Sequence, residues 1–64
     1  MTKLEMLQDA LEHEEKATKL YRKYARATED ERIREMFEQF AMNENWHAAA
    51  LRSKIDDEKG EGSQ

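Results

Sequence analysis

Nothing in this chain breaks a helix before residue 60: proline is absent, and the two glycines are Gly60 and Gly62. The residues in between are rich in Ala, Glu, Lys, Leu and Arg, a composition that suits long helices and coiled-coil-like packing. Two helix starts are marked. Thr2 with Glu5, and Thr28 with Glu31, each have the spacing at which a hydroxyl and a carboxylate cap a first turn reciprocally. The pattern predicts an all-α chain with a first helix over about residues 3–27, a tight turn at Thr28, and a second helix over about 29–59 stopped by Gly60. Residues 1–59 form one hairpin domain on this reading, and residues 60–64 a disordered polar tail.

A domain of 64 residues buries too little surface to be secure alone and needs a staple. The chain has no cysteine, which removes disulfides, thiolate zinc sites and iron–sulfur clusters. A metal or a partner chain is left. Eleven basic residues against fifteen acidic ones give a formal charge of −4. That balance argues against nucleic acid, whose phosphates call for clustered Lys and Arg, and it suits the attraction of cations. No apolar run approaches the roughly 20 residues of a membrane span, and the start lacks the apolar core of a secretion signal. The expectation is a soluble, cytoplasmic protein without membrane or nucleic-acid partners.

Each helix carries a seam in steps of three and four. The first reads Leu4, Leu7, Leu11, Glu14, Thr18, Tyr21, Ala25, Thr28, widened by Ala10, Ala17 and Tyr24. The second reads Ile33, Phe37, Phe40, Glu44, His47, Leu51, Ile55, flanked by Met36, Ala41 and Ala48. Such spacing is that of packed helices. Glu5, Glu12, Glu15, Glu29, Glu35, Glu38 and Glu58 fit a solvated face. Glu14 and Glu44 fall where the seam wants an apolar residue, and burying an unpaired carboxylate costs several kcal/mol. A cation would compensate it.

Depth along the hairpin supports the pairing. At about 1.5 Å per residue, Glu14, Glu44 and His47 lie roughly 21, 24 and 28 Å from Thr28. His47 is one turn beyond Glu44 on the same face. Three ligands do not close a two-metal site, but two chains supply four Glu and two His, the set of four-helix di-iron carboxylate bundles. Mixed imidazole and carboxylate ligands suit iron or manganese over softer metals, and other divalent ions can substitute. The alternative is a polar layer that only fixes register. Tyr21 lies two turns past Glu14 and could orient a ligand carboxylate. His13 is adjacent to Glu14 but points off the seam, and reads as an exposed histidine. Trp46 and Met42 sit on the outer side of the second helix and mark a second protein–protein contact. Glu44-Asn45-Trp46-His47 lacks the preceding histidine of the zinc protease motif.

Glu14 with Ala17 and Tyr21, then the turn, then Phe40-Ala41, Glu44 and His47, resembles the rubrerythrin–ferritin-like pattern. With two helices in place of four, the chain resembles the encapsulated ferritins, over about residues 5–57. The resemblance implies a hairpin that dimerises into a ferritin-like four-helix bundle, with a di-iron site at the dimer interface and dimers arranged in a ring-shaped decamer. It implies Glu14, Glu44 and His47 as ferroxidase ligands, oxidation of Fe(II) by dioxygen, and work inside an encapsulin nanocompartment that stores the mineral. The acidic accessory metal contacts of that family are replaced here by His13 and Lys16. Two other readings stand beside it: a di-iron peroxidase of rubrerythrin type, and a metal-free helical oligomerisation module.

Overall fold

Thr2 begins the first helix as its sequence suggests. Its hydroxyl accepts the Glu5 N–H at 3.1 Å while its own N–H donates to the Glu5 carboxylate at 2.9 Å. The computed structural model describes residues 1–62, and among these the structure is two helices and no strand, α1 over Lys3–Ala27 and α2 over Glu31–Gly62. Packed antiparallel, they make a rod of 51 × 17 × 12 Å. Neither is long and apolar enough to cross a membrane. The all-α helical hairpin expected from the sequence is the one observed.

The turn differs from expectation in its caps. Thr28 is extended and its N–H is bound to the Tyr24 carbonyl at 3.1 Å, so it closes α1 and does not open α2. Its hydroxyl accepts the Asp30 N–H at 3.1 Å. Asp30 takes the N-cap of α2, accepting the Ile33 N–H at 3.1 Å, and the helix starts at Glu31 where about 29 was expected. Asp is at least as good an N-cap as Thr, and the Thr28 N–H is already engaged. Arg34 then reaches back across the turn. Its guanidinium donates to the carbonyls of Ala25 at 3.3 Å and Thr28 at 2.8 Å and to Glu31 at 3.1 Å, satisfying acceptors that the end of α1 leaves open. Asp30→Ala should therefore cost about 0.5–2 kcal/mol, seen as a lower melting temperature by circular dichroism. An unchanged melt would mean that the cap is not where this geometry puts it.

The far end also differs. The expected stop at Gly60 is not made: α2 runs on to Gly62 and no glycine adopts positive φ. Helical glycine costs only about 0.5–1 kcal/mol, which does not force a break. Residues 63–64 of the expected tail lie outside the described residues.

The line buried between the helices is built from small side chains. Thr18 and Ala25 on α1 and Ala41, Ala48 and Ile55 on α2 are the buried residues, Ala48 the most so at 1% exposure. In α2 the expected seam residues Phe37, Glu44, Leu51 and Ile55 stay on the inner side, but two positions shift by one residue. Ala41 and Ala48 lie inside, and Phe40 and His47 are turned onto a face. Small residues let the backbones approach, and the bulky ones go to the side. On that face Tyr24, Ile33, Met36 and Phe40 remain 39–41% exposed. Tyr21, Tyr24, Phe37 and Phe40 pack there against one another, with ring centroids 5.3–6.1 Å apart.

Candidate metal centre

Glu14 sits midway along α1, and Glu44 and His47 midway along α2. The sequence brings them together by three local devices. Ala48, one residue past His47, is buried between the helices and lets them come close. The Thr18 hydroxyl donates to the Glu14 carbonyl at 2.9 Å, which fixes the α1 turn that carries the ligand. The i, i+3 spacing of Glu44 and His47 puts both on one face.

One oxygen or nitrogen of each of the three side chains lies within 4.8 Å of the others. The His47 Nδ1 is 3.4 Å from Glu14 Oε2 and 3.8 Å from Glu44 Oε2. The two carboxylates are largely shielded, at 24% and 23% side-chain exposure, whereas the imidazole is 61% exposed. Glu14 Oε2 is buried and receives no hydrogen bond. A buried acceptor without a donor needs a physical reason, and its neighbour Glu44 is, when ionised, another acceptor. A cation supplies what both lack. Two atoms bound to a common ion at about 2.0–2.2 Å stand up to about 4 Å apart, so the group needs only small adjustment to close on one. The donors, two carboxylates and an imidazole, suit a first-row divalent ion such as iron or manganese.

Glu44 shows the same strain in its protonation. Its pKa is raised, first because only its neutral form could donate to the adjacent Glu14 carboxylate, then by burial, then by the charge of Glu14; the charge of His47 and its hydrogen-bonding capacity oppose the shift. The sign of the consequence follows. With the folded pKa above the unfolded one, Glu44 adds stability to the metal-free protein at acid pH, and that contribution is lost as pH rises through the raised value. Metal binding needs the ionised form, so affinity rises with pH over the same interval and binding releases a proton. Calorimetric titration with Mn(II) in buffers of different ionisation enthalpy should show that release; a heat independent of buffer would count against this ligand.

The remaining sequence candidates fall out differently. Tyr21 lies on the same half of α1, but its ring packs on Phe37 and Phe40, and among the described residues it makes no hydrogen bond to Glu14 or Glu44. His13 is exposed and its Nδ1 bonds the Asp9 carbonyl at 2.8 Å, away from the three ligands. Trp46 and Met42 are 71% and 55% exposed. Among the described residues, two cross-helix pairs escaped the sequence reading. Glu58, assigned to a solvated face, meets Lys3 at 3.6 Å. Glu15, also assigned to a solvated face, meets Arg52 at 3.0 Å across the helices, on the reverse side from the site. This second pair joins residues 37 positions apart, so no local spacing announces it.

A family model described as Rubrerythrin matches residues 5–63. No curated protein and no solved structure matches the chain. The family is one of di-iron, oxidoreductase-type proteins, and a carboxylate–imidazole group is the chemistry such iron requires. The match takes in Glu14, Glu44 and His47 and nearly the whole chain, and the fold is the helical hairpin from which ferritin-like bundles are made: the chain belongs to the rubrerythrin family, within the ferritin-like di-iron superfamily.

Proposed function

We propose that the protein is a ferroxidase whose site is completed when two chains pair through the face that carries Glu14, Glu44 and His47. The observation behind this reading is the buried Glu14 oxygen left without a hydrogen bond beside a second carboxylate and an imidazole, set in a face whose aromatic and aliphatic residues are left open. Such a face calls for an apolar cover and a cation together. A second copy covers it and brings its own Glu14, Glu44 and His47, for a total of four Glu and two His, as in di-iron bundles built from four helices. Two hairpins then become one four-helix bundle.

Bound Fe(II) is the substrate, and it supplies one electron per ion to dioxygen on becoming Fe(III). The chain's own groups do the rest. Glu14 and Glu44 of both copies place negative charge where the product is more positive than the substrate, and the attraction is larger in a shielded site than in water. Glu44 binds the ion in its ionised form. His47 offers Nδ1 toward both carboxylates and fixes orientation.

The resemblance to the encapsulated ferritins supports extending this to a decamer, to delivery of product into an encapsulin shell, and to iron storage or detoxification. A rod 17 by 12 Å in cross-section is too thin to enclose mineral, so storage falls to a partner. The test is Fe(II) oxidation followed in the ultraviolet across a dilution series. Activity per chain should fall as dimers dissociate; activity per chain that is independent of dilution, in a protein shown to dissociate, refutes a shared site. The family match favours one other reading, in which peroxide is the oxidant. Faster oxidation of the ferrous protein by H₂O₂ than by O₂ would select it.

A further inference from the structure

The reverse side of the hairpin, away from Glu14, Glu44 and His47, holds a polar cluster of the opposite sign. Between Glu15 and Glu29, α1 carries Lys16, Lys19, Arg22, Lys23 and Arg26 and no acid, in a chain whose net charge is −4. Lys16 is neutralised by Glu12 at 3.0 Å. Lys19 and Arg22, one turn apart, border the groove between the helices. There they line a hollow of about 160 Å³ together with Asn45 and Arg52 of α2. The buried residues Thr18 and Ala48 form its floor.

The donors of this hollow are not used up within the chain. Its one acid, Glu15, is engaged by Arg52 at 3.0 Å. The Thr18 hydroxyl has already given its proton to the Glu14 carbonyl. Among the described residues, the side chains of Lys19, Arg22 and Asn45 take part in no hydrogen bond or ion pair. Two cations and an amide thus face one small space uncommitted. Like charges three apart on a helix repel each other, and an anion between them turns that repulsion into attraction.

We infer that this hollow binds a small tetrahedral oxyanion of the phosphate class, held by Lys19 and Arg22 from α1 and by Asn45 and Arg52 from α2. Guanidinium and ammonium groups supply the charge-assisted hydrogen bonds that such an anion takes, and the Asn45 amide adds a neutral donor. Size excludes larger ligands, since organic molecules occupy pockets of about 300–1,000 Å³. Charge limits length as well. Glu15 lies on this hollow, and Glu38 lies on the adjoining one that shares Arg22 and Asn45. An extended acidic segment laid along the groove meets both carboxylates, whereas a compact anion stays between them. With ligands from both helices, the anion ties α1 to α2, so its binding is linked to folding. The inference requires neither a metal nor a second chain.

The experiment titrates sodium phosphate into the metal-free full chain at neutral pH, with ionic strength held constant by sodium chloride. In an amide-resolved NMR spectrum the Asn45 side-chain signals should shift saturably, with one anion per chain. Above Kd the melting temperature should climb by roughly 5–10 °C for each tenfold rise in phosphate. Arg22→Gln and, independently, Lys19→Gln should bind at least tenfold more weakly with wild-type helical circular dichroism. Lys23→Gln removes the same charge from the adjacent position, which turns away from α2 at about 100° per residue, and should bind as wild type does. Three results overturn the inference. One is a wild-type spectrum that phosphate changes no more than chloride does. Another is equal weakening in Lys23→Gln and Arg22→Gln, the mark of screening along the whole helix. The third is tighter binding of a hexaglutamate peptide than of phosphate, the mark of a surface for an acidic protein segment.

Discussion

Glu44→Leu should melt at a higher temperature than wild type without metal, and should lose its response to metal altogether. The first half follows from the protonation of the site. Glu44 sits beside a second carboxylate, its pKa is raised by that contact and by burial, and Glu14 Oε2 receives no hydrogen bond. In the empty protein these are costs without return. Leucine occupies the same seam position with no charge to desolvate, and replacing buried ionic groups by apolar ones is often neutral or stabilising. The second half follows from ligand loss. At a hundredfold excess over its Kd a bound metal stabilises wild type by about 2.7 kcal/mol, which in a domain of this size is roughly 10–20 °C. Glu44→Leu should show none of that. Its iron oxidation should fall further than the roughly 10–100-fold that changes outside the ligand set produce. Differential scanning with and without Mn(II) reads both halves. A site that only fixes helix register would give the opposite pattern, with no metal shift in wild type to lose.

Much of this was legible before any coordinates, because it depends on period and length. Glu14 and Glu44 could be singled out by falling in apolar seams at similar depth, with His47 one turn beyond, and the structure brings the three together. The unbroken helices follow from the absence of proline and early glycine. What could not be read is decided by competition between near-equivalent local choices. Thr28 and Asp30 are both good caps, and only the bond from the Thr28 N–H to Tyr24 shows which helix each serves. Gly60 is a plausible stop, but helical glycine is cheap enough to be passed through. The exchange of Phe40 and His47 for Ala41 and Ala48 on the inner side of α2 turns on how closely two backbones approach. Hydrophobicity alone favours the larger side chain at the centre. Close packing favours the smaller one, and it leaves the aromatic residues for a face that another copy can cover. Glu15 and Arg52 were beyond reach for a different reason: each looks like an ordinary surface charge until the second helix is laid beside the first.

The same close approach makes Ala48 the residue on which fold and site both turn. It is 1% exposed, with Thr18 of α1 buried on the same line. Ala48→Leu adds three carbons where there is no room, and overpacking of this kind costs about 1–3 kcal/mol. A scaffold this short rarely draws more than about 3–5 kcal/mol from its core, so the substitution removes a large share of the total and should lower the melting temperature by roughly 5–25 °C. The loss is not one of helix propensity, since leucine is nearly as good a helix former as alanine. Lys23→Leu, on the charged edge of α1, should melt close to wild type and serves as the control. Relief of the clash comes only from moving the helices apart, which draws Glu14 away from its 3.4 Å approach to His47. Metal should therefore restore little of the lost stability, in contrast to Asp30→Ala, where the site is intact and Mn(II) should recover most of it. If Ala48→Leu keeps the wild-type metal shift, the helix separation at Ala48 does not set the site, and the ligands are positioned by something other than the small residues beneath them.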